Sequence, residues 1–278
     1  MPVAMNVVCV HYGMRFIRTE WAVDFVQQRI DIPIRGLQAL RAMELSLSTS
    51  FSQYGEDLLI WKYFGEKKTG IFVEVGANDP EENSNTLLLE RNGWTGILVE
   101  PQSTCCERLR QARPKAKLFQ VACGSPQQRG KVFLQLKGQT SKLVSPASTD
   151  LSATRHEEVQ LITLDEVLEQ AGNPRIDFLS IDVEGNDLEV LRGFDIPKHR
   201  PPLIVIEDDY QSRLEIYRYL KQQGYRLVKR TGSNNWYIPK EQPFTLTTGW
   251  EKVWLFRKMF ISTPIRKLKA IVTGEKRK

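Results

Sequence analysis

The spacing of apolar residues changes character along the chain. Over residues 1–50, Trp21, Phe25 and Val26, then Ile34, Leu37, Leu40 and Met43, recur at helical intervals. This predicts an N-terminal cap of one or two helices, broken near Pro33. The run Phe51-Ser-Gln-Tyr-Gly-Glu-Asp57 leads into a helix carrying Leu58, Leu59, Trp61, Tyr63 and Phe64. After Gly70, short apolar runs alternate with helical segments: strands over 71–75, 96–99 and 117–121, helices over 86–90 and 105–111. Units of this length need right-handed crossovers and hence a mostly parallel sheet.

From 124 to 155 the pattern weakens. A strand is predicted over 132–136, a polar loop rich in Ser and Thr over 138–152, and a strand over 158–162. Thr163 then caps a short helix, 164–170. Strands over 176–181 and 203–206 and helices over 187–191 and 213–222 follow. The runs 225–229 and 236–238, joined through Thr231-Gly-Ser-Asn-Asn235, read as an antiparallel pair. The chain therefore divides into a helical extension (1–50), an α/β domain (51–240) and a tail (241–278).

Composition narrows the class. No stretch approaches the roughly 18 uninterrupted apolar residues of a membrane span, and the N-terminus lacks the basic start of a secretory signal. Cysteines at 9, 105, 106 and 123 fit neither zinc spacing nor a disulfide scaffold, so they are expected to be reduced thiols of a cytoplasmic protein. The net charge of +6 is uneven: residues 251–278 carry +7 and the remaining 250 carry −1. The body is thus no polyanion binder, and no nucleic-acid partner is expected. The tail mixes Trp254, Leu255, Phe256, Met259, Phe260 and Ile261 with basic residues, which suits an amphipathic element at a membrane surface or a helix packed on the domain.

In open α/β sheets ligands sit beyond the carboxyl ends of the strands, so what each strand ends with is informative. The first ends Glu74-Val-Gly-Ala-Asn-Asp-Pro80, where small residues allow close backbone approach but no third glycine completes a pyrophosphate cradle. The second ends Glu100-Pro101, an acid placed for the hydroxyls of a ribose. Together they suggest an adenosine-type ligand without phosphates, as in S-adenosylmethionine, whose cationic centres suit acidic loops. Asp182 and Glu184 close a later strand, Glu207-Asp-Asp209 the next. Such acids can act as general base, with Asp182 or Glu207 as candidates, can hold a divalent metal through Asp182, Glu184 and Glu207, or can face solvent while Asn186 or Asp187 caps a helix. His156, after the polar loop, is a further base candidate, though its charged neighbours also suit a surface histidine. Cys105 and Cys106 read as helix packing rather than redox chemistry.

Six stretches resemble the FkbM-type methyltransferases in the family's own order: Ser52-Gln-Tyr-Gly-Glu-Asp57, Phe72-Val-Glu-Val-Gly-Ala-Asn-Asp-Pro80, Ser84-Asn-Thr86, Gly93-Trp-Thr-Gly-Ile-Leu-Val-Glu-Pro101, Ile162-Thr-Leu-Asp-Glu-Val-Leu168 and Ile176-Asp-Phe-Leu-Ser-Ile-Asp-Val-Glu-Gly185. The resemblance covers about two-thirds of the chain, from Phe51 to Pro239. It implies a Rossmann-like class I methyltransferase fold, seven strands with an antiparallel C-terminal pair, and S-adenosylmethionine as donor. On this resemblance Glu74, Gly76, Ala77, Asn78 and Asp79 line the methionine part, and Glu100, with Pro101 beside it, takes the ribose hydroxyls. Ala122 and Cys123 flank the adenine, Asp182 lies near the methyl, Glu184 joins the cofactor-binding residues, and Gln53 with Ser84-Asn85 helps to close the pocket. Cys123 departs from the small or hydroxyl residue expected there. The acceptor implied is an oxygen of a glycan or small natural product. A nicotinamide-dependent oxidoreductase and a catalytically silent binding module are the rival readings.

Overall fold

The computed structural model describes residues 50–136, 141–144, 155–208 and 211–266. The expected N-terminal cap, most of the polar loop and the last residues of the tail lie outside this range. In chain order the elements are α1 (Glu56–Tyr63), β1 (Ile71–Val75), α2 (Leu87–Arg91), β2 (Thr95–Val99), α3 (Ser103–Ala112), β3 (Lys117–Phe119) and β4 (Ala122–Cys123). Then come β5 (Gly130–Gln135), β6 (Lys142–Val144), β7 (His156–Ile162), α4 (Leu164–Gln170), β8 (Phe178–Ile181), α5 (Asp187–Arg192) and α6 (Ile196–His199). The chain continues through β9 (Leu203–Glu207), α7 (Arg213–Gln222), β10 (Tyr225–Thr231), β11 (Asn234–Pro239) and α8 (Gly249–Arg257), which runs into a π-helical turn, Lys258–Ser262.

The main sheet has seven strands in the order β10-β11-β9-β8-β1-β2-β3, with β11 antiparallel to both neighbours and the other pairs parallel. This is the class I arrangement expected from the sequence. Its central strands are apolar runs because both faces are covered. Val73, Val75, Ile204 and Ile206 pack against Val167, Leu191 and Leu220, from α4, α5 and α7. Their neighbours Phe72, Leu203 and Val205 pack on the other face, against Ile60, Leu89 and Leu109 from α1, α2 and α3.

The run 117–121, read as one strand, serves two sheets. β3 pairs with β2, but after Phe119 the chain turns, and β4 pairs with β7 in a second sheet ordered β4-β7-β5-β6. This sheet is not evident in the sequence, because β6 lies inside the stretch expected to be a polar loop. Cross-strand pairing of Leu143 with Leu134 gives that short strand its place.

The chain reverses its direction of travel through the sheet at β1, which lies between β2 and β8. Gly76 ends β1 with φ +87°, and a Cβ there would stand 1.8 Å from the carbonyl oxygen of Asp182. The sequence reading gave Gly76 to close approach by a ligand; its tightest neighbour is the backbone after β8. We expect Gly76→Ala to destabilise the fold by more than the roughly 1–2 kcal/mol of a left-handed backbone alone, measurable by urea unfolding.

Candidate active site

A cleft of about 270 Å³ opens beyond the carboxyl ends of β1, β2, β8 and β9. On its left bank the turn after β1 is drawn toward β2: Gly76 and Ala77 both donate N–H bonds to the Val99 carbonyl. Asn78 (φ +44°) then aims its N–H at Glu100 Oε2, 2.9 Å away, while Gln102 N–H bonds Oε1 at 2.8 Å. Glu100 is therefore a buried carboxylate gripped by two backbone donors, each oxygen retaining further capacity to accept. Burial pushes its pKa up, and the two N–H bonds oppose that shift. Cys106 of α3 donates to the Glu100 carbonyl at 3.1 Å, and burial raises its thiol to about 12, consistent with packing rather than redox chemistry.

Glu74 lines the cleft floor, but its carboxylate is fully engaged elsewhere. It accepts from Asn85 N–H (3.0 Å), Thr86 Oγ1 (2.7 Å) and the Ser84 hydroxyl, and pairs with Arg113 at 3.3 Å. Arg113, whose side chain has no solvent exposure, also bridges Glu90 at 2.7 Å. Ser84 belongs to this buried network and is not part of the cleft wall, whereas Asn85 lines the wall and bonds Ser180 at 3.0 Å. The sequence reading missed Arg113, since nothing local marks a partner 39 residues from Glu74.

The right bank is acidic. After β8, Glu184 takes φ +56°, and the Asp187 carboxylate accepts the N–H groups of Val183 and Gly185 at 3.0 and 3.1 Å. Neither of the expected caps holds α5 through a side-chain bond: Asp187 folds the preceding loop, and the Asn186 amide reaches back to the Cys123 carbonyl. This loop brings carboxylate oxygens of Asp182, Glu184 and Glu207 within 4.8 Å of one another. Asp182 meets solvent through the cleft mouth, but its carboxyl sits deep among protein atoms. Burial, then the charge of Glu207 and a hydrogen bond shared with it, raise its pKa well above the usual carboxylate range. Burial and Glu207 also raise Glu184, and burial holds Asp187 at about 7.

The second sheet supplies the roof: Leu134, Ser141 and Leu143 face the cleft, and the Ser141 hydroxyl bonds Gln102 Oε1 at 3.1 Å. None of these three was anticipated. Ala122 and Cys123 line the cleft from β4, although the Cys123 side chain belongs to the main core, where burial lifts its thiol to about 12. Gln53 reaches the rim on a loop fixed by Asp57, which accepts from Phe51 N–H at 2.7 Å and the Ser50 and Ser52 hydroxyls. Glu56 ties the same loop to Asn234 of β11 at 2.9 Å.

Of the expected site residues, Gln53, Glu74, Gly76, Ala77, Asn78 and Asn85 meet at the cleft. Glu100, Pro101, Ala122, Cys123, Asp182, Glu184 and Glu207 join them. Asp79 does not line it: its carboxylate caps the turn at Glu81 and Glu82 and pairs with Arg108 at 2.6 Å. His156 begins β7 opposite Gln135 and is also outside the lining. Six acidic residues line the cleft, Glu82, Glu100, Asp182, Glu184, Glu207 and the Arg113-paired Glu74, and among the described residues no Lys or Arg lines it. That donor set suits a cationic ligand with hydroxyls and opposes a pyrophosphate.

Residues 74–227 match the family described as the methyltransferase FkbM domain, more than half of the chain. No curated protein matches the sequence. Among solved structures, the chain is similar to a methyltransferase FkbM from Methylobacillus flagellatus KT (13% identity, 85% of this chain and 70% of that one, TM-score 0.43). It is also similar to a methyltransferase from Geobacter sulfurreducens (11% identity, 79% and 97%, TM-score 0.39). A third is a TehB-like SAM-dependent methyltransferase from Corynebacterium glutamicum (12% identity, 73% and 96%, TM-score 0.37). The assignment rests on the family match and not on these distant likenesses: the chain belongs to the FkbM family of S-adenosylmethionine-dependent methyltransferases.

Proposed function

We propose that the protein methylates a hydroxyl of a sugar, glycan or similar small polyhydroxylated acceptor, with Asp182 and Glu207 as a shared general base. The observation that carries this reading is the wall of carboxylates without a cation, with a gripped pair of lone pairs at Glu100 on one bank and two hydrogen-bonded carboxyls on the other. When bound, S-adenosylmethionine supplies a methyl group on a sulfonium centre that leaves as a neutral thioether. The residues of the chain then have three tasks. Glu100 accepts hydrogen bonds from the ribose hydroxyls. The Asn78 and Gln102 N–H groups hold that carboxylate in place. The Asp182–Glu207 pair takes the acceptor's proton as the carbon–oxygen bond forms, and the roof from Leu134 and Leu143 keeps bulk water from competing.

Charge-assisted hydrogen bonds from a buried carboxylate contribute about 1.5–3 kcal/mol. Glu100→Ala is therefore expected to weaken S-adenosylhomocysteine binding about ten- to hundredfold by calorimetry; unchanged affinity would overturn the donor site. The close approach of the Asp182, Glu184 and Glu207 oxygens also permits a divalent cation in place of a base. Turnover of hydroxyl acceptors that survives EDTA supports the base; loss restored by Mg²⁺ supports the cation.

A further inference from the structure

Beyond β11 the chain stays pinned to the sheet edge. Lys229 Nζ bonds the Leu246 carbonyl and Glu251 at 3.0 and 2.6 Å, and Thr247 bonds the Val228 carbonyl at 2.7 Å. Thr248 caps α8. The helix and its π-turn bury Leu255, Met259 and Thr263 on the domain. A helix that packs this way ordinarily turns polar residues outward. Here the opposite face, at matching spacing, carries Trp250 (75% exposed), Val253, Trp254, Ile261 and Ile265 (61%), while Phe260 meets Tyr217 of α7 edge-on. The helix packs on the domain, one of the two readings the sequence allows, and turns a second apolar face outward.

Beside it a groove of about 550 Å³ runs between α8, α7 and β10. Its floor is apolar, from Leu227, Val228, Phe244 and Met259, and the four charged residues that line it, Lys221, Arg226, Lys240 and Lys252, are all cations. Arg257 stands within the exposed apolar face and Arg266 follows it, both exposed. In sequence, residues 267–278 add five basic residues and one acid. Apolar surface rich in Trp and Phe, rimmed by one sign of charge, matches the boundary between acyl chains and anionic headgroups. An acidic protein would match the charge but leave the Trp face without a reason. No helix among the described residues is long and apolar enough to cross a membrane, so the contact is one of lying on the surface.

We propose that the outer face of α8 and its π-turn is a docking site for an anionic lipid bilayer, with that face in the acyl–headgroup boundary and the exposed Arg257 on lipid phosphates. A buried chain of hydrogen bonds joins the helix to the site: Thr263 accepts a bond from Arg213 at 2.9 Å, and Arg213 pairs at 2.8 Å with Asp208, the residue after Glu207.

The test is co-sedimentation of the full chain with vesicles of phosphatidylglycerol and phosphatidylcholine in equal parts, against phosphatidylcholine alone. Binding to the mixed vesicles is expected, lowered at least tenfold by Trp254→Ser with Ile261→Ser. Arg257→Gln should lower it by about fivefold. S-adenosylhomocysteine affinity and unfolding temperature should stay unchanged in all variants, which separates a docking defect from a folding one. A wild-type chain that ignores both vesicles overturns the proposal, whether residues 1–49 or a second copy then covers the face. So does vesicle binding that the Trp254/Ile261 variant retains in full, since the basic tail alone would then account for it.

Discussion

Asp182→Asn is expected to lower kcat by about 10²- to 10⁴-fold, the range spanned by general acid–base catalysis, while S-adenosylhomocysteine binds as before. The change is isosteric, and Glu100, the ribose partner we propose, lies on the opposite bank. Because Asp182 and Glu207 share a hydrogen bond, they act as a unit, and the double variant with Glu207→Gln should be little worse than either single one. The pH dependence has a definite sign. A base must be deprotonated, so turnover should fall on the acid side as Asp182 takes up its proton. Since burial and Glu207 raise Asp182, that limb should lie above the about 3.9 of an ordinary aspartate. Glu207→Gln removes a raising charge and should move the limb to lower pH. Stability runs the other way. An acid raised in the folded state favours folding at low pH and loses that contribution as pH rises through the folded-state value. At neutral pH Asp182→Asn should therefore unfold at the same temperature as the wild type or higher, as calorimetry can check, whereas a merely structural Asp182 would give a less stable variant.

Arg113→Ala should be the most destabilising single change on the donor side of the cleft, by about 3–5 kcal/mol, the usual consequence of removing one partner from a buried ion pair. Arg113 is fully enclosed and serves Glu74, Glu90, Ser84 and Thr86 together. Without it two buried carboxylates face each other unpaired beneath the cleft floor. Urea unfolding reads the loss directly. Neutralising both acids in the same chain, with Arg113→Met, Glu74→Gln and Glu90→Gln, should recover most of it. If the triple variant is as unstable as Arg113→Ala, packing volume and not charge is what Arg113 contributes.

These two expectations also mark how far the sequence was readable. Strand ends were legible because each apolar run stops abruptly at residues of a different chemistry: Gly76-Ala-Asn after β1, Glu100 after β2, Asp182 after β8 and Glu207 in β9. Parallel order then brings these ends to one rim without further information. Partnerships across the fold were not legible. Asp79 looks like a site residue in sequence, and only the position of α3 shows that Arg108 claims it. The family resemblance puts Ser84 and Glu74 in the pocket, yet a buried arginine occupies their polar atoms. The roof was missed for a related reason. β6 has three residues, and its reason for being a strand lies in Leu134, across a connection of polar residues.

That roof differs from the rest of the domain in how it is reached during folding. β1 and β8 are neighbours in the sheet, and Ile71 N–H bonds Asp177 from 106 residues away. Joining the two banks of the cleft therefore waits on a long-range closure, which is intrinsically slow. β5 and β6 pair at short separation. The hairpin that roofs the cleft can consequently form, and be exchanged for another of different length or lining, with little effect on the rate at which the main sheet assembles. Changes in the shape of the cleft would then accumulate in a part of the chain whose kinetics are decoupled from those of the scaffold.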